Sequence, residues 1–280
     1  MPRGRNQDSH LRALLSLSEI ELAGGDACSY STFGIFGISN YPWIRQMDLA
    51  AIRRELNDLA DPETAVFLQR YFKTGLGQYG EGDRFLGIRV PRLRALARRS
   101  RNLPVRAALE LLHSPWHEER LLALLLLVDR YRRGESAERT EIHRVYLANT
   151  LYINNWDLVD ASAEHIVGAH LDPNNLETLE SLARSDSVWE RRIAMIATFY
   201  WIKHNESRPA LRIAALLQSD SHDLIHKAVG WMLREIGKRD RAAEEEFLRG
   251  HYHHMPRTML RYALEHFPPE RRQAYLRGEA

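Results

Sequence analysis

The segment Asn154-Asn155-Trp156-Asp157-Leu158-Val159-Asp160 gathers residue types that could do chemistry. Trp156 and Asp160 are four apart, so on a helix their side chains share one face, a turn from each other. Leu158 and Val159, continued by Ile166 and Val167, supply a core-facing stripe. That leaves Trp156, Asp157 and Asp160 to point toward a groove or solvent. The competing reading is structural, with Trp156 in the core and Asp157 or Asp160 capping the helix start, where the dipole favours an anion. Further along, Trp189-Glu190-Arg191-Arg192 places an aromatic and a cation three apart, and Lys227-Ala228-Val229-Gly230-Trp231 places them four apart. A mid-helix glycine costs about 1 kcal/mol relative to alanine, so Gly230 implies that a neighbouring helix or a ligand approaches the backbone. Arg234, Lys238, Arg239, Arg257 and Arg261 recur in the same half of the chain. Singly, each reads as a solvated charge, and Arg234 has Glu235 or Glu190 as candidate partners. Together, the set presents aromatics, a carboxylate and cations from successive helices. Cations suit a phosphate backbone and tryptophans offer stacking and cation-π surfaces, so the implied ligand is nucleic acid.

Other chemistries find less support. His251-Tyr252-His253-His254 has no acidic partner beside it, and its spacing needs a favourable turn to hold a metal. There is no His-Glu-x-x-His, and the single Cys28 can form neither an internal disulfide nor a thiolate cluster. No metal and no cofactor are expected. Gly75 to Gly82 (GLGQYGEG) lacks the Gly-Lys-Ser/Thr of a P-loop, leaving either a long turn or a backbone-rich contact loop.

From Asp48 onward apolar residues recur three and four apart, and no alternating strand pattern is found, which predicts an all-α chain. Helices are expected near 48–60, 62–73, 91–100, 104–113, 116–133, 137–151, 155–170, 175–184, 188–204, 208–217, 222–238, 241–250 and 255–266. Ser114-Pro115-Trp116, Ser185-Asp186-Ser187-Val188-Trp189 and Ser219-Asp220-Ser221-His222 precede long helices, and their Ser or Asp suits an N-cap. Trp116 to Trp156 spans 40 residues, Trp156 to Trp189 spans 33, and Ser185 to Ser219 spans 34. That period fits a HEAT-like helical-pair solenoid, an ARM-type superhelix with a concave face able to grip an extended polymer. Residues 1–46 lack a sustained helical period and read as a poorly ordered arm, with 47–280 as a single HEAT-like domain and Met47 as a candidate start.

The 280 residues are 44% hydrophobic and 27% charged, as for an average globular protein, so disorder throughout is excluded. With 39 Lys plus Arg against 37 Asp plus Glu, the net charge of +2 means that any basic surface is a local patch. The greasiest run, Leu121 to Val128, falls short of the roughly 18 apolar residues that a membrane span needs. Arg12, Glu19 and Glu21 break up a faint signal-peptide pattern. A cytoplasmic monomer is the simplest expectation.

With those motifs assembled, the chain from about Met47 to Arg277 resembles the AlkD-like DNA alkylation repair proteins, alkylpurine DNA glycosylases built from HEAT-like helical pairs. The matching stretches are Tyr71-Phe72-Lys73-Thr74-Gly75, Gly87-Ile88-Arg89-Val90-Pro91, Asn155 to Asp160, Trp189-Glu190-Arg191-Arg192-Ile193-Ala194, His226 to Glu235 and Met255 to Ala263. The resemblance implies an active cleft formed by Trp156, Asp160, Trp231 and Arg192. It also implies hydrolysis of N3- or N7-alkylated purines from double-stranded DNA, leaving an abasic site. Asp160 would stabilise the oxocarbenium-like sugar, Trp156 and Trp231 would flank the lesion, and Arg192, with Lys227, would hold phosphates. Arg191 and Arg234 are further candidate DNA contacts. Some members of the family are thought to bind damaged or branched DNA without efficient excision, which is the alternative reading. The Gly75 to Gly82 loop and the N-terminal arm depart from the pattern of the best-known enzyme.

Overall fold

The computed structural model describes residues 48–280, which lie in one compact unit. The expected N-terminal arm and the role of Met47 lie outside the described residues. Local sequence starts the first helices: the Asp48 carboxylate accepts from the Ala51 N–H and opens α1 (Leu49–Asp58). Asp61 accepts from the amides of Glu63 and Thr64 and opens α2 (Pro62–Tyr71), with Pro62 in the first turn, where its missing N–H costs nothing. There follow α3 (Val90–Arg99), α4 (Val105–Leu112), α5 (His117–Arg133), α6 (Ser136–Leu147), α7 (Trp156–Asp160), α8 (Glu177–Ala183) and α9 (Val188–Ala197). The chain ends with α10 (Phe199–Lys203), α11 (Arg208–Leu217), α12 (Asp223–Gly237), α13 (Arg241–His251), α14 (Arg257–Ala263) and α15 (Pro269–Arg277).

Antiparallel neighbours pair α4 with α5, α8 with α9 and α11 with α12. The second members then stack in series: α5 on α7 and the π turn Glu164–Gly168, these on α9, α9 on α12, and α12 on α14. The protein is an all-helical solenoid, as the period of the joints predicts. Its core is continuous along the stack. Leu122, Leu124 and Leu127 of α5, Leu158 and Val159 of α7, Ile193 of α9 and Val229 of α12 are all fully inaccessible. Each such aliphatic burial contributes roughly 1.5–3 kcal/mol relative to exposure. No helix among the described residues is long and apolar enough to cross a membrane.

Four details differ from the expected elements. Of the Ser and Asp residues of the joints only Ser187 takes an N-cap position, and its side chain makes no capping hydrogen bond. Ser114 Oγ accepts from the Trp116 N–H at 3.1 Å, Ser185 Oγ from the Ser187 N–H at 3.1 Å, and Asp220 Oδ1 from the His222 N–H at 2.8 Å. Each therefore closes a turn two residues ahead, leaving Trp116, Ser187 and His222 as the N-cap positions. The expected helix 155–170 stops at Asp160 and resumes as the π turn. Ser162 Oγ bonds back to the Leu158 carbonyl at 2.6 Å and competes with the helical ladder there. Thr198 does the same with the Met195 carbonyl at 2.7 Å and divides α9 from α10. The terminal helix α15, which closes the stack through buried Tyr275, has no counterpart among the expected helices.

Candidate functional site

Helix α7 has only five residues, too few to be stable alone, so neighbouring repeats must fix its side chains. Asn155 starts it, its side-chain oxygen accepting from the Trp156 N–H at 2.9 Å while its amide donates to Asp83 Oδ2 at 3.1 Å. Neither Asp157 nor Asp160 is the cap.

Asp160 points forward along the stack. Arg192 of α9 grips it bidentately, Nε to Oδ1 at 2.9 Å and Nη2 to Oδ2 at 2.8 Å, and its Nη1 donates to the Leu224 carbonyl at 2.7 Å. The Asp160 side chain keeps 12% of its exposure and that of Arg192 6%. Burial raises the Asp160 carboxyl above its ordinary value, and the Arg192 charge opposes that rise.

Asp157 points back along the stack. His117 of α5 donates from Nε2 to Asp157 Oδ2 at 2.8 Å and from Nδ1 to Asp83 Oδ2 at 2.8 Å, and Arg120 reaches Asp83 Oδ1 at 2.5 Å. The result is a chain of alternating charge, Arg120, Asp83, His117, Asp157. Burial alone would lower the imidazole pKa, but the two carboxylates outweigh it and raise it to about 9. His117 is therefore a buried imidazolium near neutral pH, and the ring of Phe85 covers one of its faces at 4.4 Å.

Aromatic rings surround this pair of carboxylates. Trp156 is half-buried, stacked on Phe72 at 5.2 Å and edge-on to Tyr71 at 6.1 Å, so it is neither a core residue nor free. Tyr79, from the glycine-rich loop, meets Trp189 edge-on at 6.1 Å, and its hydroxyl accepts a hydrogen bond from Trp156. Lys73 lies over the Tyr79 ring at 5.7 Å. The loop thus belongs to the site. Trp231 is half-buried beside Phe199, at 5.6 Å. Gly230 before it is accounted for by a neighbouring helix: a Cβ there would stand 2.4 Å from the Met259 carbonyl oxygen and 2.5 Å from Tyr262 Cβ, so α14 can seat against α12 only over a glycine. Tyr262 is close enough to Tyr71 for the two hydroxyls to interact electrostatically.

The cations correct the sequence reading in part. Arg191 donates to Asp220 at 2.6 Å and to the carbonyls of Ser185 and Asp186, tying one joint to the next. Arg234 pairs with Glu265 and has Glu235 only at 3.9 Å, while Glu190 takes the hydroxyls of Thr150 and Ser185 instead. With Arg192, these are staples of low exposure between neighbouring helices and joints, not open phosphate ligands, because carboxylates and carbonyls already engage their guanidinium groups. Lys227 differs: it pairs with Asp223 at 2.7 Å but stays 40% exposed, and Lys73 is near enough to lower the Asp223 carboxyl further. A second basic cluster joins Arg94 and Arg98 of α3 to Arg132 at the end of α5, His165 and Lys203. There Arg94 Nε is buried without a partner, and burial together with the surrounding cations pushes the His165 imidazole down to about 3. His251, His253 and His254 stack or point to solvent, and no group of metal-ligating side chains gathers among the described residues.

Residues 52–267 match the family described as DNA alkylation repair enzyme, more than half of the chain. The chain belongs to that family. Membership places it in DNA alkylation repair, with DNA as its partner. Among solved structures, a predicted DNA alkylation repair enzyme from Enterococcus faecalis aligns with a TM-score of 0.57 at 19% identity, covering 75% of this chain and 97% of that one. AlkD2 from Streptococcus mutans aligns with a TM-score of 0.50 at 15% identity, covering 77% and 98%. At these identities both likenesses concern the fold. No curated protein matches the chain significantly in sequence.

Within the candidate site, sequence reasoning missed Asp83, His117, Arg120 and Tyr79. His117 and Arg120 follow the Ser114-Pro115-Trp116 joint on α5 three residues apart, so they share a face. Buried charge so close to a helix start was the available signal. Asp83 and Tyr79 carry none, because a loop has no period to read.

Proposed function

We propose that the protein is a DNA glycosylase that hydrolyses the N-glycosidic bond of N3- or N7-alkylated purines in duplex DNA and leaves an abasic site. The observation that carries this reading is a carboxylate, Asp160, fixed bidentately by Arg192 and bordered by Trp156. An alkylated purine is cationic, so its C1′–N bond breaks with the electron pair leaving on the base, which departs neutral. The charge left behind sits on the sugar. A held carboxylate stabilises that oxocarbenium-like centre and orients the water whose oxygen bonds to C1′, the water's proton passing to the carboxylate or to solvent. Trp156 and Trp231 supply electron-rich faces for the cationic nucleotide.

In this reading Arg192 acts on DNA through Asp160, and the phosphate contacts fall to Lys227 and Lys73 beside the site. The Arg94, Arg98 and Arg132 cluster adds a second anchor around His165, five residues beyond Asp160. Mutually repelling, partly buried cations are stabilised when an anion such as a backbone phosphate neutralises them.

A specific observation favours a second reading. Both Asp160 oxygens already accept from Arg192, which weakens the carboxylate as a base and suits a protein that binds damaged or branched DNA without excising from it. Release of 7-methylguanine and 3-methyladenine from methylated duplex DNA, measured in EDTA for the wild type and Asp160→Asn, separates the two. Release by the wild type and its loss in the variant support the glycosylase. Intact DNA binding with no release by the wild type supports the second reading.

A further inference from the structure

Leu76 is 93% exposed, more than Leu151 at 77% and well beyond Phe67 or Val66, the other large apolar side chains left open among the described residues. It does not sit on a floppy tip. The Gly80 N–H donates to the Lys73 carbonyl at 3.1 Å and closes the loop base, and the Gln78 N–H donates to the Gly75 carbonyl at 3.0 Å. Side chains complete the frame: the Gly75 N–H donates to Gln78 Oε1 at 3.0 Å and the Gly77 N–H to Glu81 Oε2 at 2.7 Å. Gly77 and Gly82 adopt φ values of 71° and 81°, which a side chain would strain. The Glu81 charge is thereby committed inside the loop.

The frame is also fastened to the site. Tyr79, three residues from Leu76, is wedged between Trp189 and Trp156, and the loop backbone at Gly80 lies against the Asn155 side chain. Lys73 and Arg84, at the two ends of the loop, are exposed and in no ion pair among the described residues, and Lys73 and Lys227 both act on Asp223. A hydrogen-bonded loop thus holds one aliphatic side chain out into water three residues from the tyrosine that meets both tryptophans, with cations at its base. An exposed leucine says little by itself, but one presented by a hydrogen-bonded frame with cations at its two ends matches a ligand that joins apolar faces to negative charge.

We propose that Leu76 is a wedge: when the protein seats on duplex DNA, this side chain enters the base stack at the weakened pair and holds the step open beside Trp156. Apolar wedges of this kind unstack a base step while nearby cations hold the backbone. The proposal rests on the DNA reading given above and assigns the loop a part in it that neither Asp160 nor the tryptophans can fill.

The test uses the full chain and a duplex carrying a tetrahydrofuran abasic analogue with 2-aminopurine beside it, together with a lesion duplex for single-turnover excision. Wild type should raise the 2-aminopurine fluorescence on binding, Leu76→Ala should abolish most of that rise and slow excision about tenfold, and Leu76→Met should restore both. Excision of the same lesion opposite a mismatch, where the pair is already open, should be slowed less. Because the side chain is almost fully exposed, Tm should not change. Equal fluorescence for wild type and Leu76→Ala would overturn the wedge and leave the glycosylase reading standing. A Leu76-dependent rise without any excision would keep the wedge and remove the glycosylase reading. Absence of any binding by the wild type would remove both.

Discussion

Asp157 and Asp160 lie three residues apart on one short helix, yet they are held in opposite ways. Asp157 reaches back to a buried imidazolium that it shares with Asp83, and Asp160 reaches forward to an arginine that takes both its oxygens. Their partners come from the preceding and the following repeat. Helix α7 is therefore a strut whose position is set at both ends by charge, with Trp156 carried between them. A five-residue helix has too few internal hydrogen bonds to fix a side chain to the accuracy that chemistry needs. Here the accuracy comes from repeat packing, so the site depends on the register between three repeats.

The two carboxylates should separate most widely in catalysis. Asp160→Asn is expected to slow single-turnover release of an alkylated purine by about 10² or more while keeping most DNA affinity. Asp157→Asn should act only through the placing of Trp156 and cost about tenfold, within the range that a small misplacement produces. Equal losses would mean that the two carboxylates work as one unit and would break the distinction drawn between them.

Stability should reverse the order of importance. His117 is 2% exposed and bonded to two carboxylates, whereas Arg192 is 5% exposed and bonded to one carboxylate and one carbonyl. Removing one partner of a buried ion pair costs about 3–5 kcal/mol, because the other charge is stranded. His117→Ala should therefore be the more damaging change in urea unfolding, since it takes a charged partner from two carboxylates at once: Asp157 is stranded, and Asp83 is left to Arg120 and Asn155 alone. Arg192→Ala removes the partner of one carboxylate only, Asp160. Adding Asp157→Asn to His117→Ala should recover part of the loss, and a strictly additive result would show that the pair is not coupled.

These contacts mark the boundary of what the chain reveals before folding. The helices, the repeat spacing and the Trp156 to Asp160 stretch were legible because apolar period and aromatic spacing are local properties. Gly230 was legible as a close approach, and α14 provides it. The direction in which Arg191, Arg192 and Arg234 point was not legible. An arginine on a helix reads the same whether it faces solvent or the acid of the next repeat, and the acids that capture these three lie about 30 residues away. The break at Ser162 was hidden for another reason: a serine that bonds back to its own helix looks in sequence like any small residue on a buried face.

Acid–base behaviour offers a finer probe of the His117 end. Its folded pKa of about 9 lies above the unfolded value near 6.5, so its contribution is fully present below about 6.5 and is lost as pH rises through 9. Glu244 is fully buried against Gly237, and its pKa is pushed up to about 8 chiefly by burial. Its folded form also holds a proton that the unfolded form releases, so stability falls from about pH 4.5 up to 8 on its account. Glu244→Gln should flatten the lower part of the stability curve and leave the decline toward pH 9. His117→Gln should do the converse, and a curve insensitive to both would remove the assignment of charge to either group.

The smallest expected effect concerns the cations, and it tests which of them meet DNA. Lys227 is half open and held only by Asp223 one turn away, a pair that a phosphate can displace at little cost because such surface pairs are weak. Lys227→Gln should lower affinity similarly for every sequence and reduce the slope of log affinity against log salt by about 1, the signature of one lost phosphate contact. Arg191→Gln should leave that slope unchanged and lower the unfolding midpoint, because its donors are spent on Asp220 and on two carbonyls of the same joint. A reduced slope for Arg191→Gln would show that the joint opens on binding and that the staple is also a ligand. The division between cations that build the solenoid and cations that face the polymer would then depend on whether DNA is bound.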